Sequence, residues 1–300
     1  MLKNFRSNQP PSHGIIIMLM IVICCAMLSI FISVGSLALW SGNTTSNGID
    51  MTNLGHLRII QIIQSIGTFI IPSIIGVWLF YSNSYKACFG KGQLNGQLVL
   101  ISVLIIVVSS PLINWASFVN QNIPFPSSLS YIKQWMTQKE QGAMEMTRTF
   151  LTIESVSDIL VNTFIMAILP AIGEEWLFRG MIQPLTARIT KKMSSAIILT
   201  AILFSAMHFQ FLTFFPRMIL GVILGYIYHY GKSLWLPIIA HFANNLVALM
   251  AYSYYLYQGK QAIDPLAAAS EAPSIFLSIS SLALIVFGLY QIKRSKSLQS

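Results

Sequence analysis

Charged residues are scarce in this chain of 300 residues: only 9% are Asp, Glu, Lys or Arg, whereas 55% are hydrophobic. A soluble globular domain carries about 25% charged residues. So few charges cannot cover the surface of a fold that faces water, which excludes an ordinary soluble protein. Lipid must therefore be the solvent for much of the chain, and we expect an integral membrane protein.

Cysteine is also rare, and the three cysteines form no CxxC pair. Cys24 and Cys25 lie within an apolar run, and Cys88 is far from both. This pattern excludes a disulfide framework. Acidic residues are half as frequent as basic ones, which gives a formal net charge of +9. The basic residues sit in short clusters between apolar runs and form no continuous basic face, so we expect no nucleic-acid partner.

Long apolar runs dominate the rest of the sequence. A hydrocarbon core about 30 Å thick requires about 20 helical residues to cross it. Strands with open edges cannot satisfy their backbone hydrogen bonds in lipid, and the alternation of a membrane β-barrel is missing. The sequence therefore predicts an all-α, polytopic membrane helical bundle of about eight transmembrane helices. The predicted spans are 14–40, 59–81, 97–119, 149–172, 194–213, 216–231, 234–257 and 274–292.

Two polar segments connect these runs. The segment 120–148 contains Trp135 and the charged residues Lys139, Glu140 and Glu145, and it is predicted to form an amphipathic helix on the outer membrane surface. The segment 184–192 is predicted to be a short interfacial piece on the cytoplasmic side. We divide the chain into 1–148 with the first transmembrane helices and the outer loop, 149–257 as the core that carries the polar residues, and 258–300 with the last helix and a basic tail.

Lysine and arginine are unevenly distributed between alternate connections, which predicts the orientation. Twelve lie in one set of connections: Lys3, Arg6, Lys86, Lys91, Arg179, Arg188, Lys191, Lys192, Lys232, Lys293, Arg294 and Lys296. Six lie in the other set: Arg58, Lys133, Lys139, Arg148, Arg217 and Lys260. This bias places both termini in the cytoplasm and predicts a protein of the cytoplasmic membrane.

Ionisable residues within membrane spans are costly, so each one is a functional hypothesis. The run Gly173–Gly180 begins with two adjacent carboxylates, Glu174 and Glu175. Arg179 follows Glu175 by four residues, so the two are predicted to form an ion pair on one helix face. Glu174 points about 100° away from that face. A carboxylate without a cation beside it in a partly dry place can accept a proton near neutrality.

Two later spans carry a histidine paired with another residue at helical spacing. Phe204 and His208 are four residues apart, and so are His241 and Asn245 on a following helix. A histidine and an amide stacked in this way can donate to an oxyanion or hold a ligand. Polar groups also join membrane helices simply by hydrogen bonding, so each pair alone is a weak signal. The order of these pairs along the chain is a stronger signal than either pair alone.

This order resembles the CPBP family of intramembrane proteases, also called the CAAX protease and bacteriocin-processing (Abi) family. The resemblance rests on EExxxR at Glu174, Glu175 and Arg179, FxxxH at Phe204 and His208, and HxxxN at His241 and Asn245. It covers roughly residues 149–255. It implies that Glu174 with His208 activates a water for attack on a peptide carbonyl, and that His241 and Asn245 stabilise the oxyanion. Glu175 and Arg179 would orient Glu174.

The resemblance leaves the cofactor open, because family members are often called metalloproteases. Zinc held by Glu174, His208 and His241 is one reading, although the sequence has no HExxH motif. A glutamate mechanism without metal fits the same residues. The implied partners are the lipid bilayer and a peptide or protein substrate at the membrane, of which a prenylated C-terminal CAAX tail is one.

Two other functions compete with this interpretation. The first is a non-catalytic membrane scaffold or bacteriocin-immunity protein of the same fold, against which the presence of every motif residue argues. The second is a proton-coupled transporter that uses Glu174, His208 and His241 as a proton path. Transporters often carry paired repeats in their two halves. Here the polar residues are confined to one half of the chain.

Overall fold

The computed structural model describes residues 11–41, 53–81, 89–90, 94–151, 155–257 and 273–297, and every regular element in these ranges is helical. The predicted all-α class is thereby confirmed. In chain order the α-helices are α1 (Pro11–Ser41), α2 (Leu54–Ser65), α3 (Ile71–Phe80), α4 (Gly96–Val108), α5 (Ser110–Gln121), α6 (Ser130–Phe150), α7 (Val156–Thr163), α8 (Leu169–Glu175), α9 (Gln183–Thr190), α10 (Met193–Ala206), α11 (Phe214–Gly231), α12 (Trp235–Tyr257) and α13 (Ile275–Ser297). Of the residues named above, six lie outside the described ranges: Lys3, Arg6, Lys86, Cys88, Lys91 and Lys260.

Six helices of the described ranges are long and apolar enough to cross a membrane, rather than the eight predicted. They are Ser12–Leu39, Leu54–Phe80, Gly96–Gln121, Ser157–Thr190, Trp235–Tyr254 and Ile275–Ser295. The predicted span 194–213 is a shorter helix of 14 residues, because α10 ends at Ala206. The predicted span 216–231 corresponds to α11, which carries Arg217 and His229 among its 18 residues. A polytopic helical membrane protein remains the correct description.

The fourth predicted span, 149–172, is placed wrongly at both ends. Helix α6 continues to Phe150, and the next membrane-length helix runs over Ser157–Thr190, 34 residues that cover about 51 Å at 1.5 Å per residue. The segment 184–192, predicted as a separate interfacial piece, is largely the last part of this helix. A hydropathy pattern ends at Glu174 because it treats each charge as facing lipid, whereas here the charges face protein.

Prolines shape this long helix and the membrane-length helix Leu54–Phe80. Within the described ranges, three π-helical turns interrupt the α-helices, at Ile66–Ile70, Phe164–Ile168 and Trp176–Ile182. Each is followed at the second position of the next helix by a proline: Pro72, Pro170 and Pro184. Proline lacks an N–H, and its ring clashes with the carbonyl four residues earlier, so the preceding turn widens to accommodate it. The helix continues through each proline instead of ending there.

The helices divide into two compact units, and residues 149–257 contribute to both. The first unit takes its described helices from 1–91 and 149–196. In it, α1 packs against α2, α3 and α9. Arg58 in α2 donates to Asp158 at 2.8 Å and to Asn162 at 3.1 Å, which fixes the start of the long helix. The division into three segments that we drew from the sequence stays a prediction.

The second unit comprises the described parts of 92–148 and 197–300. Helices α4, α11, α12 and α13 surround an apolar core. Its fully buried members include Leu98, Leu224, Ile227, Leu236, Ala240 and Ile292. Ser281 in α13 donates to the carbonyl of Val108, the last residue of α4, at 2.6 Å. Pro111 is the second residue of α5, so carbonyls of the preceding turn need such side-chain donors.

Candidate active site

The acidic motif lies in the first unit, at the junction of α8 and the π turn Trp176–Ile182. The Nη1 atom of Arg179 is 2.8 Å from Oε1 of Glu175, and both side chains are completely buried. This confirms the ion pair predicted from their spacing. Glu174 is 7% exposed, so the second carboxylate of the motif is also buried in protein.

The position of this motif differs from the prediction. The predicted span 149–172 places Glu174 just beyond its end, but Glu174 lies near the middle of the helix Ser157–Thr190. Arg179 therefore does not indicate which side of the membrane this part of the chain faces. Arg188, Lys191 and Lys192 are exposed at the end of the helix, as expected for basic residues near headgroups.

Two contacts hold the acidic motif in place. A Cβ atom at Gly173 would lie 3.0 Å from Cβ of Phe69, so glycine lets the neighbouring helix contact the backbone directly beside Glu174. Tyr81 donates from its hydroxyl to the carbonyl of Gly180 at 2.9 Å, within the π turn. The widened turn is thus anchored by another helix. The motif is consequently fixed on a supported backbone, which preorganises the carboxylates.

His208 lies in the second unit, in the turn that follows α10. Its Nδ1 atom is 2.9 Å from the carbonyl oxygen of Phe204. A carbonyl oxygen can only accept, so Nδ1 must carry the hydrogen in this bond. In the neutral ring the other nitrogen, Nε2, then has a lone pair that can accept a hydrogen bond. The backbone of α10 therefore selects the tautomer in which Nε2 is the acceptor.

Phe204 brings the two histidine motifs together. Its ring centroid is 5.1 Å from that of His208 and 5.9 Å from that of His241, both with edge-on geometry. Phe204 and His241 are almost fully buried, at 1% and 3% exposure. A Cβ atom at Gly221 in α11 would lie 3.3 Å from Cδ1 of Phe204, so this ring has little space to move. Both histidines thus pack against one fixed aromatic side chain.

Asn245 follows His241 by one helical turn on α12, as predicted, and is half-buried. The amide of Asn244 donates to Oδ1 of Asn245 at 3.3 Å. Since Oδ1 already accepts this bond, the NH₂ end of Asn245 is the end suited to donate to a ligand. In this second unit the structure assembles Phe204, His208 and His241. The acidic residues Glu174, Glu175 and Arg179 form the other group, within the first unit.

No group of three or more His, Cys, Asp or Glu side chains in the described part of the chain is arranged to hold a metal ion. The zinc reading of Glu174, His208 and His241 stays a prediction for experiment.

Sequence reasoning missed the contacts that hold the loop after His208. Asn120 in α5 and Glu140 in α6 both bond to residues of this loop, and both are buried. The predicted amphipathic helix at 120–148 is present as α6, but Glu140 does not face solvent. A usable signal was its position at helical spacing between Met136 and Met144, which places a carboxylate on the apolar stripe.

The comparisons with known proteins agree with the motifs. No curated protein and no solved structure matches the chain. Residues 156–247 match the family described as Rce1-like, type II CAAX prenyl endopeptidase Rce1-like. This segment contains all seven motif residues, from Glu174 to Asn245. The resemblance to the CPBP family of CAAX proteases, predicted from three short motifs, is thereby confirmed over the segment that carries them.

Proposed function

We propose that the chain is an intramembrane endopeptidase that hydrolyses a peptide bond near the membrane surface with a water activated by Glu174 and His208. The observation that carries the proposal is the match of residues 156–247 to an endopeptidase family, with every motif residue of that segment present. The packing of His208 and His241 on the buried ring of Phe204 supports it. It gives the two histidine motifs one common location in the second unit.

Glu174 and His208 share the first step. The water adds through its oxygen to the carbonyl carbon of the peptide, and Glu174 accepts the proton that the water loses. His208 orients this water through Nε2, which is the unprotonated nitrogen when Nδ1 donates to Phe204.

His241 and Asn245 act on the charge that this addition creates. The carbonyl oxygen becomes an oxyanion, and N–H groups of the two side chains donate to it. When the tetrahedral intermediate collapses, the C–N bond breaks and the amine leaves with the proton that Glu174 had accepted. A new carboxylate and a new amine are the products. Glu175 and Arg179 contact no reacting atom in this scheme; their buried pair fixes the turn on which Glu174 stands.

The substrate in this proposal is a membrane-associated peptide or protein, and the family match favours a prenylated C-terminal CAAX tail. We place the protein in the cytoplasmic membrane with both termini in the cytoplasm, on the lysine and arginine bias. With Arg179 removed because it is buried, that bias over the connections of the eight predicted spans is eleven to six. A CAAX tail is a cytoplasmic C-terminus, so this orientation and this substrate agree.

The test is cleavage of a mixed peptide library by the purified protein in detergent. The library contains matched prenylated and unprenylated CAAX peptides, and Glu174→Gln is assayed beside the wild type. We expect the wild type to release the tripeptide from prenylated members and the variant to release none. Equal cleavage by both proteins would contradict the mechanism. Cleavage of unprenylated members alone would support endopeptidase activity and contradict the prenylated substrate.

A further inference from the structure

A buried carboxylate lies outside the segment that resembles the protease family. Glu140 is in the middle of α6 and only 3% exposed. Its Oε1 accepts from the hydroxyl of Thr213 at 3.0 Å, and its Oε2 accepts from the backbone N–H of Leu212 at 3.3 Å. Both oxygens of one carboxylate therefore bond to two consecutive residues of the loop between α10 and α11.

Asn120 in α5 forms hydrogen bonds with the end of the same loop and with the start of α11. Its Nδ2 donates to the carbonyl of Phe211 at 2.9 Å, and its Oδ1 accepts from the backbone N–H of Phe215 at 2.7 Å. Trp135 adds a ring contact to Phe211, with centroids 5.2 Å apart. An asparagine that uses both ends of its amide on the backbone fixes the position and the orientation of that backbone.

The loop held in this way is the direct continuation of His208. Phe209 has a φ of 52°, a left-handed conformation that a bulky residue adopts only when its surroundings impose it. Ser205 donates to the carbonyl of Phe214 at 2.7 Å, which ties the end of α10 to the start of α11. His208 stands inside this closed loop. Its ring orientation consequently depends on contacts at the far side of the loop.

A cation completes the arrangement. Arg217 in α11 donates to the hydroxyl of Thr213 and to the side-chain oxygen of Gln210. Thr213 thus lies between the guanidinium and the Glu140 carboxylate. Burial of the Glu140 carboxylate is costly, even beside a half-buried guanidinium, and apolar residues of similar volume close a loop at least as well. Polar networks of this kind persist where a defined geometry is required.

We propose that Glu140 and Asn120 are positioning residues. They fix the segment Gln210–Phe215, which is the end of the loop and the first two residues of α11, and through it hold the His208 ring in its working orientation. This proposal rests on the proposed function, in which His208 orients the attacking water. It adds that two residues outside 156–247, on helices α5 and α6, contribute to catalysis by positioning His208. Neither residue touches a reacting atom.

The test uses the NMR signals of the five histidines, labelled at ¹³Cε1 in the full-length protein in detergent, with the His208 signal assigned by its loss in His208→Gln. We expect Glu140→Ala and Asn120→Ala to shift the His208 signal, while the His229 signal stays in place. The matched controls are Glu145→Ala and Asn114→Ala, which alter exposed residues on the same two helices. They should leave the His208 signal unchanged.

Activity is the second readout. We expect kcat to fall at least tenfold in Glu140→Ala and Asn120→Ala, with KM within about twofold of the wild type. An unmoved His208 signal in both folded variants would overturn the positioning proposal, whatever the wild type cleaves. A moved signal in a protein that cleaves no peptide would support the positioning of His208 and contradict the proposed function instead. Thr213→Val replaces any variant that fails to fold, since it removes one donor to Glu140 at almost constant volume.

Discussion

The Nη1 atom of Arg179 lies 2.8 Å from Oε1 of Glu175, and neither side chain exposes measurable surface. Removing one partner of such a pair leaves the other charge buried, at a loss of about 3–5 kcal/mol in the free energy of unfolding. We therefore expect Glu175→Gln to lower the melting temperature in detergent and to lower cleavage as well. The control Glu145→Gln changes an exposed carboxylate and should stay within about 0.5 kcal/mol. Unchanged melting in Glu175→Gln would show that the pair is solvated.

His241 and Asn245 are assigned to the oxyanion, which exists only beyond the ground state. Removing one such donor typically lowers kcat by about 10²–10³. We expect this loss in Asn245→Ala and in His241→Gln, with little change in KM, because the substrate itself does not use these donors. Steady-state kinetics on one peptide measure both constants. A rise in KM at constant kcat would assign the two residues to substrate binding instead.

Gly221 controls how closely α10 and α11 approach behind Phe204. A Cβ atom there would lie 3.0 Å from Cβ and 3.2 Å from Cα of Ala201. We expect Gly221→Ala to separate the two helices, to reduce stability by about 1–3 kcal/mol and to lower activity by displacing Phe204. Gly142→Ala is the matched control, because nothing lies within 4 Å of its added Cβ. At this exposed helical position the change should raise the free energy of unfolding by about 0.5–1 kcal/mol. Similar melting of the two variants would contradict this packing.

A mechanism in which Glu174 itself takes the proton needs no metal ion. We expect incubation with EDTA or 1,10-phenanthroline, followed by removal of the chelator, to leave kcat unchanged. Metal content measured on the same sample provides the control. Loss of activity that returns on addition of Zn²⁺ would favour the zinc reading of Glu174, His208 and His241.

Local spacing was enough to predict part of the site. The Glu175–Arg179 pair follows from helical periodicity, which the widened turn after Glu175 does not abolish. The i, i+4 pair of His241 and Asn245 likewise needs only a continuous α12. The family resemblance could be stated from the same residues, since the order of the motifs is independent of tertiary structure.

Other features depend on tertiary contacts that a hydropathy pattern does not contain. The long helix continues past Glu174 because protein, not lipid, surrounds the acidic residues. Helix α10 ends early at Ala206, where Ser205 bonds to Phe214 and the chain reverses at Phe209. The spacing of Glu140 from Met136 and Met144 indicates that it lies on the apolar stripe, but its partners Leu212 and Thr213 are known only from the structure.

The most direct measurement of the central claim is the single-turnover rate of peptide cleavage by matched variants of the acid and the histidine. Glu174→Ala and His208→Ala are compared with Glu145→Ala and His229→Ala, all as folded, detergent-solubilised proteins. We predict that cleavage disappears in the first two variants and proceeds at the wild-type rate in the other two. Turnover that persists in Glu174→Ala or His208→Ala would contradict the account of how the water is activated.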